Sequence, residues 1–532
     1  MIANHCRFGG AMPRLGHRSL GGTMPRLGAM HMELDRRSPV SLARQIFENI
    51  RKDIIGNRLP AGEQLPSTRR LAEMLGVSRN TATEAYEQLK DEGYILSRPG
   101  AAAVVAENLF LPDRPEAIKP RPGRDDCQSP PLRRHNALTG TQPEKTEAAQ
   151  PGFGGGPVFE AGPAEGPDRI YDFRTGRPAV PESLRKLWCR LSNKILPELP
   201  EEQWLYGHHQ GLPELRREIS RWLYGTRGLE ISPDEVYISS GASQALNMIL
   251  RIICSPGDRV ALENPCHLGI WQSLNHNGLR ARPTEVDAEG LKVESLDPRD
   301  LSAVYVTPSH QFPLGHILSA ARRVELIKMA RKNDFYLIED DYDSEFRYRG
   351  LPVSPLYSLD PQRVIYLGTF SKCLFPALRI GFAAFPRKFR DQWLSLRRFT
   401  DIQNPMAEQA VAAEFLRQRK LGRHINKMAG LYASRLAELK AALARTFGRE
   451  LSLFGGEAGL HIAIALKGRD FDASFQSFCA ERGLLITPCS LFSLTGSHRD
   501  ILILGYGRIE KEDIAAGVES LKSLIRQYEK QV

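Results

Sequence analysis

The chain has 532 residues, 42% apolar and 25% charged; that length exceeds what one hydrophobic core organises, and that composition excludes a wholly disordered or fibrous protein. No run approaches the roughly 18 uninterrupted apolar residues of a bilayer span, and the amino end lacks the apolar segment of a signal peptide, so a cytoplasmic protein is expected. Of the net charge of +10, four arginines lie in residues 1–31, and residues 32–106 carry eleven Lys and Arg against ten Asp and Glu, so charge alone does not locate a nucleic-acid surface.

Residues 1–31 hold the near-repeats MPRLGHRS and MPRLGAM without periodicity. They are read as disordered or as a mis-assigned start, with Met30 or Met32 as the alternative first residue. The eight cysteines are scattered, without Cys-x-x-Cys or clustered histidines, so neither a disulfide framework nor a metal site is expected.

From Ser41 to Ile55, Leu42, Ile46, Phe47, Ile50 and Ile54 recur at helical spacing and the run stops at Gly56. Ser67 is placed to cap a short helix through Leu75 that ends at Gly76, and Ser78 to cap another through Glu92. Two capped helices around a Gly turn predict a helix-turn-helix, and YILSRPGAAAVVA predicts a two-stranded wing over the rest of residues 32–106. A generic three-helix core is the alternative on pattern alone. The second capped helix opens with Ser78, Arg79, Asn80, Thr81 and Thr83, whose fork, amide and hydroxyls are the groups that bond base edges and phosphates. Ala82, Ala85, Tyr86 and Leu89 form its buried face.

Residues 107–168 are dense in Pro and Gly, with more acidic than basic residues, and read as a flexible linker. Over residues 169–532, β-branched runs such as EVYISS, RVALE, SAVYVT, FYLIED and RVIYLGTF alternate with helical stretches, which predicts an α/β domain with a largely parallel sheet. From about Pro405 a smaller α+β lobe follows.

Three motifs in this domain carry chemistry. At Ser240-Gly241-Ala242-Ser243 a strand meets a helix, so free N–H groups and the helix dipole suit a phosphate, although small residues also serve simply to turn a chain. FYLIEDDYD ends a strand in Glu339, Asp340, Asp341, Tyr342 and Asp343, at the ligand edge of an open sheet or as a solvated cluster. RVIYLGTFSKCLFPALRIG brings Thr369, Ser371, Lys372 and Arg379 after another strand, where a desolvated lysine can attack a carbonyl or the set can be a surface patch. In this order, a phosphate cradle, a carboxylate and a lysine are what pyridoxal 5′-phosphate (PLP) needs.

LPSTRRLAEMLGVSRNTATEAYEQLKDEGYILSRPG resembles the winged helix-turn-helix of GntR-type regulators. That resemblance adds Arg69 and Arg98 as phosphate or groove contacts, while the wing tip Pro-Gly-Ala-Ala-Ala lacks the usual hydroxyl residue after its glycine. TPSHQFPLG, IEDDYDSEFRY and YLGTFSKCLFPALRIGF resemble fold-type I aminotransferases, and more closely the aminotransferase-like half of MocR-type regulators. The fold class expected is therefore multidomain: a mainly α winged helix-turn-helix followed by an α/β PLP-binding domain with a smaller α+β lobe.

The resemblance implies Lys372 as the Schiff-base lysine, Asp340 as partner of the pyridine nitrogen with Asp341 as fallback, and Tyr342 as partner of the ring hydroxyl. It implies Gly241, Ala242, Thr369, Ser371 and Arg379 as the phosphate cradle with Ser243 adjacent, and Tyr206 as a residue lent to the neighbouring subunit of a homodimer. His267 stands where an aromatic residue stacks on the ring, Phe312 where working aminotransferases carry asparagine, and Ile503 near their carboxylate-clamping arginine. The head domain, with the Phe312 and Ile503 departures, implies a PLP-dependent transcriptional regulator that binds an operator in double-stranded DNA and senses PLP, an amine or an amino acid; the alternative is an aminotransferase with an accessory head.

Overall fold

The computed structural model describes residues 32–97, 102–112, 169–348 and 350–531. The head opens with α1 (Leu42–Ile55), α2 (Thr68–Leu75) and α3 (Arg79–Asp91). Each begins at a serine that satisfies an otherwise orphaned N–H: Ser41 Oγ accepts from Arg44 N at 3.2 Å, Ser67 Oγ from Arg70 N at 3.2 Å and Ser78 Oγ from Thr81 N at 3.1 Å. Gly76 closes α2 at φ 62°, a left-handed conformation that favours glycine. Phe47, Ile50, Leu71, Ala82, Leu89 and Tyr94 fill the space between the helices. The wing strands β1 (Ile95–Leu96) and β2 (Val104–Val105) pair antiparallel; Arg98 and the tip between them lie outside the described residues.

Leu109 and Leu111, at the start of the stretch read as linker, are buried, and Leu111 N donates to Ile55 O at 2.9 Å. The expected disorder of residues 1–31 and the remaining linker, 113–168, fall outside the described residues.

The body begins with β3 (Tyr171–Asp172), α4 (Glu182–Ile195) and α5 (Pro213–Arg227). Its main sheet is built from β4 (Val236–Ser239), β5 (Arg259–Asn264), β6 (Arg280–Asp287), β7 (Gly290–Leu291), β8 (Leu301–Val306), β9 (Tyr336–Asp341), β10 (Val364–Thr369) and β11 (Gly381–Ala384), in the order β4-β11-β10-β9-β8-β5-β6-β7. The central pairs are parallel, while β11 runs antiparallel to both neighbours and β7 to β6. Helices α6 (Ala242–Ile253), α7 (Leu268–His276) and α8 (Ala320–Asn333) are crossovers, and α9 (Arg390–Thr400) follows the sheet. Side chains alternate across the strands: Tyr305 and Ile338 pack with α6 and α7, whereas Val304, Leu337 and Tyr366 pack into the larger core on the other face.

The smaller lobe holds α10 (Met406–Arg417), α11 (Lys420–Phe447), β12 (Leu451–Phe454), β13 (His461–Leu466), α12 (Ala473–Ala480), β14 (Leu484–Leu485), β15 (Thr487–Pro488), β16 (Ile501–Gly505) and α13 (Lys511–Tyr528). Its sheet order is β12-β13-β16-β15, and β14 pairs in parallel with β3. The first strand of the body thus belongs to the last lobe, a pairing of distant segments that no local pattern announces. Among the described residues no helix is long and apolar enough to cross a membrane.

Candidate cofactor site and DNA-facing helix

The site forms where β4, β9 and β10 end. Gly241, at φ 92°, turns β4 into α6 in a conformation that strains any other residue, and a Cβ there would come within 2.8 Å of Arg379 Nη2. No side chain caps α6, which leaves its first N–H groups and its dipole directed at the opening. Arg379 Nη2 donates to Ser240 O at 2.5 Å. Thr369 sits opposite Gly381 in the β10–β11 ladder, and its Oγ1 accepts from Ser371 N at 3.2 Å and donates to Ser371 Oγ at 3.0 Å. Ala242 is half-buried and Ser243 exposed in the first turn of α6. This ring of N–H, hydroxyl and guanidinium groups can hold a phosphate.

Lys372 follows β10 and is half-buried, its Nζ donating to Gly176 O at 2.8 Å. Burial, with Arg379 nearby, lowers its pKa against the opposing pull of Asp343 and Asp340, which favours the neutral amine a nucleophile needs. Gly176 was not singled out in the sequence; a Cβ there would lie 3.0 Å from the lysine Nζ.

Asp340 and Asp341 part company on β9. Asp340 Oδ2 accepts from Tyr305 OH at 2.5 Å, while its Oδ1 is buried and without a hydrogen-bond partner among the described residues. Burial pushes this carboxyl up to about 6, with Asp341 adding to the rise while Tyr305 and Lys372 oppose it. Asp341, the fallback, accepts from Arg227 and from Tyr366 OH on the opposite face, so it does not share the lysine's side of the sheet. Tyr342 OH lies 3.1 Å from His310 Nδ1, which is itself 2.9 Å from Asp343 Oδ1. Tyr305, His310 and Asp343 were missed as site residues, although all three sit within or beside the quoted motifs.

His267 is exposed and caps α7 through its Nδ1, which accepts from Gly269 N at 3.1 Å. Desolvation by neighbouring atoms, with the Lys372 charge, lowers its pKa from the ordinary histidine value, so it is neutral at physiological pH. Phe312 lies 5.6 Å from the His267 ring, 6.0 Å from Tyr342 and 4.9 Å from Phe492. Ile503 is fully buried in the same apolar cluster; a carboxylate there meets hydrocarbon rather than a guanidinium fork. Tyr206 is not brought to the site by its own chain: it is 82% exposed, beside exposed Trp204 and Leu205.

In the head, Ser78, Arg79 and Asn80 are exposed at the start of α3, and Thr81 and Thr83 are half-buried. The Ser78 and Thr81 hydroxyls bond each other at 2.9 Å. Arg69 is exposed on α2, 3.3 Å from Glu73.

Residues 42–105 match the family described as bacterial regulatory proteins, gntR family, and residues 199–502 match aminotransferase class I and II. The chain is 32% identical over 493 residues to the probable rhizopine catabolism regulatory protein MocR of Rhizobium meliloti, covering 92% of this chain and 95% of that protein. It is 30% identical to the pyridoxine biosynthesis transcriptional regulator PdxR of Corynebacterium glutamicum, covering 90% and 95%. Among solved structures, the multiple substrate aminotransferase of Thermococcus profundus matches 69% of this chain and 93% of its own at 26% identity and a TM-score of 0.63. The kynurenine aminotransferase of Pyrococcus horikoshii, solved with PMP, matches 68% and 91% at 28% identity and a TM-score of 0.62.

Proposed function

Because the chain belongs to the MocR-type regulators, in which a GntR head is joined to an aminotransferase-like domain, we propose that its body binds PLP and reports that binding to the operator-bound head. Bound PLP supplies an electrophilic aldehyde and an electron-withdrawing pyridinium ring. Lys372 holds the aldehyde carbon, Asp340 keeps a proton on the ring nitrogen, Tyr342 faces the ring hydroxyl and His267 covers the ring. Gly241, Ala242, Ser243, Thr369, Ser371 and Arg379 hold the phosphate. The fit is supported by the unpartnered Asp340 Oδ1 across from the Lys372 amine and by the uncapped α6.

The observation that carries sensing over turnover is the burial of Ile503 near the place of the carboxylate-clamping arginine of working aminotransferases, in one apolar cluster with Phe312, which stands in place of their asparagine. Without that clamp an α-amino acid is poorly oriented for repeated reaction, so the effector is PLP itself or an amine that engages it. Tyr206, together with Trp204 and Leu205, supports a homodimer in which each subunit lends its tyrosine to the other's phosphate. The protein acts in the cytoplasm on double-stranded DNA through Arg69, Ser78, Arg79, Asn80, Thr81, Thr83 and Arg98.

The test combines cofactor and DNA. PLP added to the purified chain gives a visible absorption band, and borohydride fixes the pyridoxyl mass on Lys372. Lys372→Ala abolishes that fixation. Footprinting on genomic DNA with and without PLP then identifies the operator. Labelling at another lysine, or footprints at no specific sequence, overturns the reading.

A further inference from the structure

Strand β9 presents the cofactor carboxylate Asp340 on one face and Asp341 on the other. Arg227, at the end of α5, donates to Asp341 and Ser344, and its Nη1 donates to Val353 O at 3.2 Å. The next residue, Ser354, is where the head sits. Its N–H donates to Glu92 Oε1, from the end of α3, at 3.0 Å. Arg44, on α1, donates to Ser354 Oγ at 2.9 Å and to the Arg227 carbonyl at 2.9 Å. Arg44, Glu92, Ser354, Arg227 and Asp341 are all at most 5% exposed. The seam is therefore a buried polar chain from the back of the cofactor strand to both framing helices of the winged helix.

We propose that this seam couples the two functions: the charge state at Asp340 sets how firmly Arg227 holds the 352–354 loop, and the loop sets the orientation of the head. This rests on the PLP reading given above. Asp340 and Asp341 are adjacent carboxylates in a poorly screened interior, so each raises the cost of charge on the other. A protonated ring nitrogen beside Asp340 would offset that repulsion and strengthen the hold of Asp341 on Arg227. The guanidinium then fixes the Val353 carbonyl, and Ser354 presents its N–H and hydroxyl to Glu92 and Arg44. The seam takes the carboxyl end of α3, whereas Ser78, Arg79 and Asn80 at the other end remain exposed. Docking thus controls the direction in which the recognition helix points and leaves access to it unchanged. For a protein gripping paired half-sites, orientation decides affinity, because two heads at fixed angles fit one spacing.

The experiment uses the full chain, with and without PLP, and two duplexes selected from random sequence: one with paired half-sites and one with a single half-site. Glu92→Leu and Arg44→Met are compared with the native chain. The native protein should bind the paired duplex about tenfold more tightly with PLP, within the usual range of coupling between sites. Both variants should load PLP with the native absorption band and bind the single half-site as the native chain does, while the PLP effect on the paired duplex falls below about twofold. Retention of the full effect in folded variants overturns the coupling. Glu92→Leu, which keeps the bulk and removes the acceptor for Ser354 N–H, decides alone if Arg44→Met fails to fold. A native chain that loads PLP without changing paired-site affinity overturns this proposal only; a chain that takes no PLP overturns it together with the cofactor reading.

Discussion

Replacing Tyr305 with phenylalanine removes one hydroxyl from beneath the cofactor carboxylate and changes little else in the strand. Tyr305 is 3% exposed, and its own pKa is raised well above the ordinary value by burial and by Asp340, so it donates to Asp340 Oδ2 at every accessible pH. A hydrogen bond to a charged group is worth about 1.5–3 kcal/mol, and 1.36 kcal/mol corresponds to one pKa unit. With Oδ1 already unpartnered, loss of the Tyr305 bond moves the carboxyl from about 6 to roughly 7–8. Only the ionised carboxylate partners a protonated ring nitrogen, so the apparent PLP dissociation constant grows as pH falls below the carboxyl's pKa. In the native chain the cofactor therefore loosens below about pH 6. In Tyr305→Phe it is about two- to tenfold weaker at pH 7 and nearly native at pH 9. Absorbance titrations of PLP from pH 5.5 to about pH 9 read both curves. A loss of the same size at every pH would mean general damage to the pocket, and no loss at pH 7 would remove Tyr305 as a positioning residue.

Arg79→Ala should cost about 1–3 kcal/mol in operator affinity and relax sequence preference, whereas Arg69→Ala should weaken all sequences alike and flatten the salt dependence; competition binding across a panel of duplexes separates the two. Transamination of common amino acids should stay far below the ~1–10³ s⁻¹ of ordinary enzymes because Ile503 replaces a clamp, and single-turnover against multiple-turnover assays measure this. Tyr206→Ala should leave the fold intact, since the side chain is exposed, yet weaken PLP in the dimer by about 1.5–3 kcal/mol, the worth of one bond to a charged group. Sedimentation of the loaded protein should give a dimer; a loaded monomer with native affinity would remove the shared-site reading.

Local chemistry explains which parts of this molecule are readable in its sequence. The caps Ser41, Ser67 and Ser78 act within three residues, and Gly76 ends its helix by its own backbone freedom, so the head's helices are legible from spacing alone. Gly241 and Arg379 stand in motifs whose order carries meaning. The choice between Asp340 and Asp341 needs the phase of β9, and that phase is set by the neighbours Tyr305 and Tyr366 on parallel strands. Arg227 sits on an amphipathic helix with nothing to mark it; its role depends on Asp341, which the sheet brings to it. The same holds for Glu92, which reads as the end of a recognition helix and is buried against Ser354 and Ala320.

The pairing of Tyr171–Asp172 with Leu484–Leu485 imposes a wait on folding during synthesis. A ribosome has released the whole head before β3 leaves the exit tunnel, and β3 then waits for a partner encoded near the other end. At about 5–20 residues per second the delay is roughly 15–60 s. During that interval a nascent chain already carries a recognition helix while its small lobe is incomplete. A message cut short within the body would accordingly yield a polypeptide able to touch DNA but deaf to any metabolite, so intact translation is itself a condition of obedient regulation.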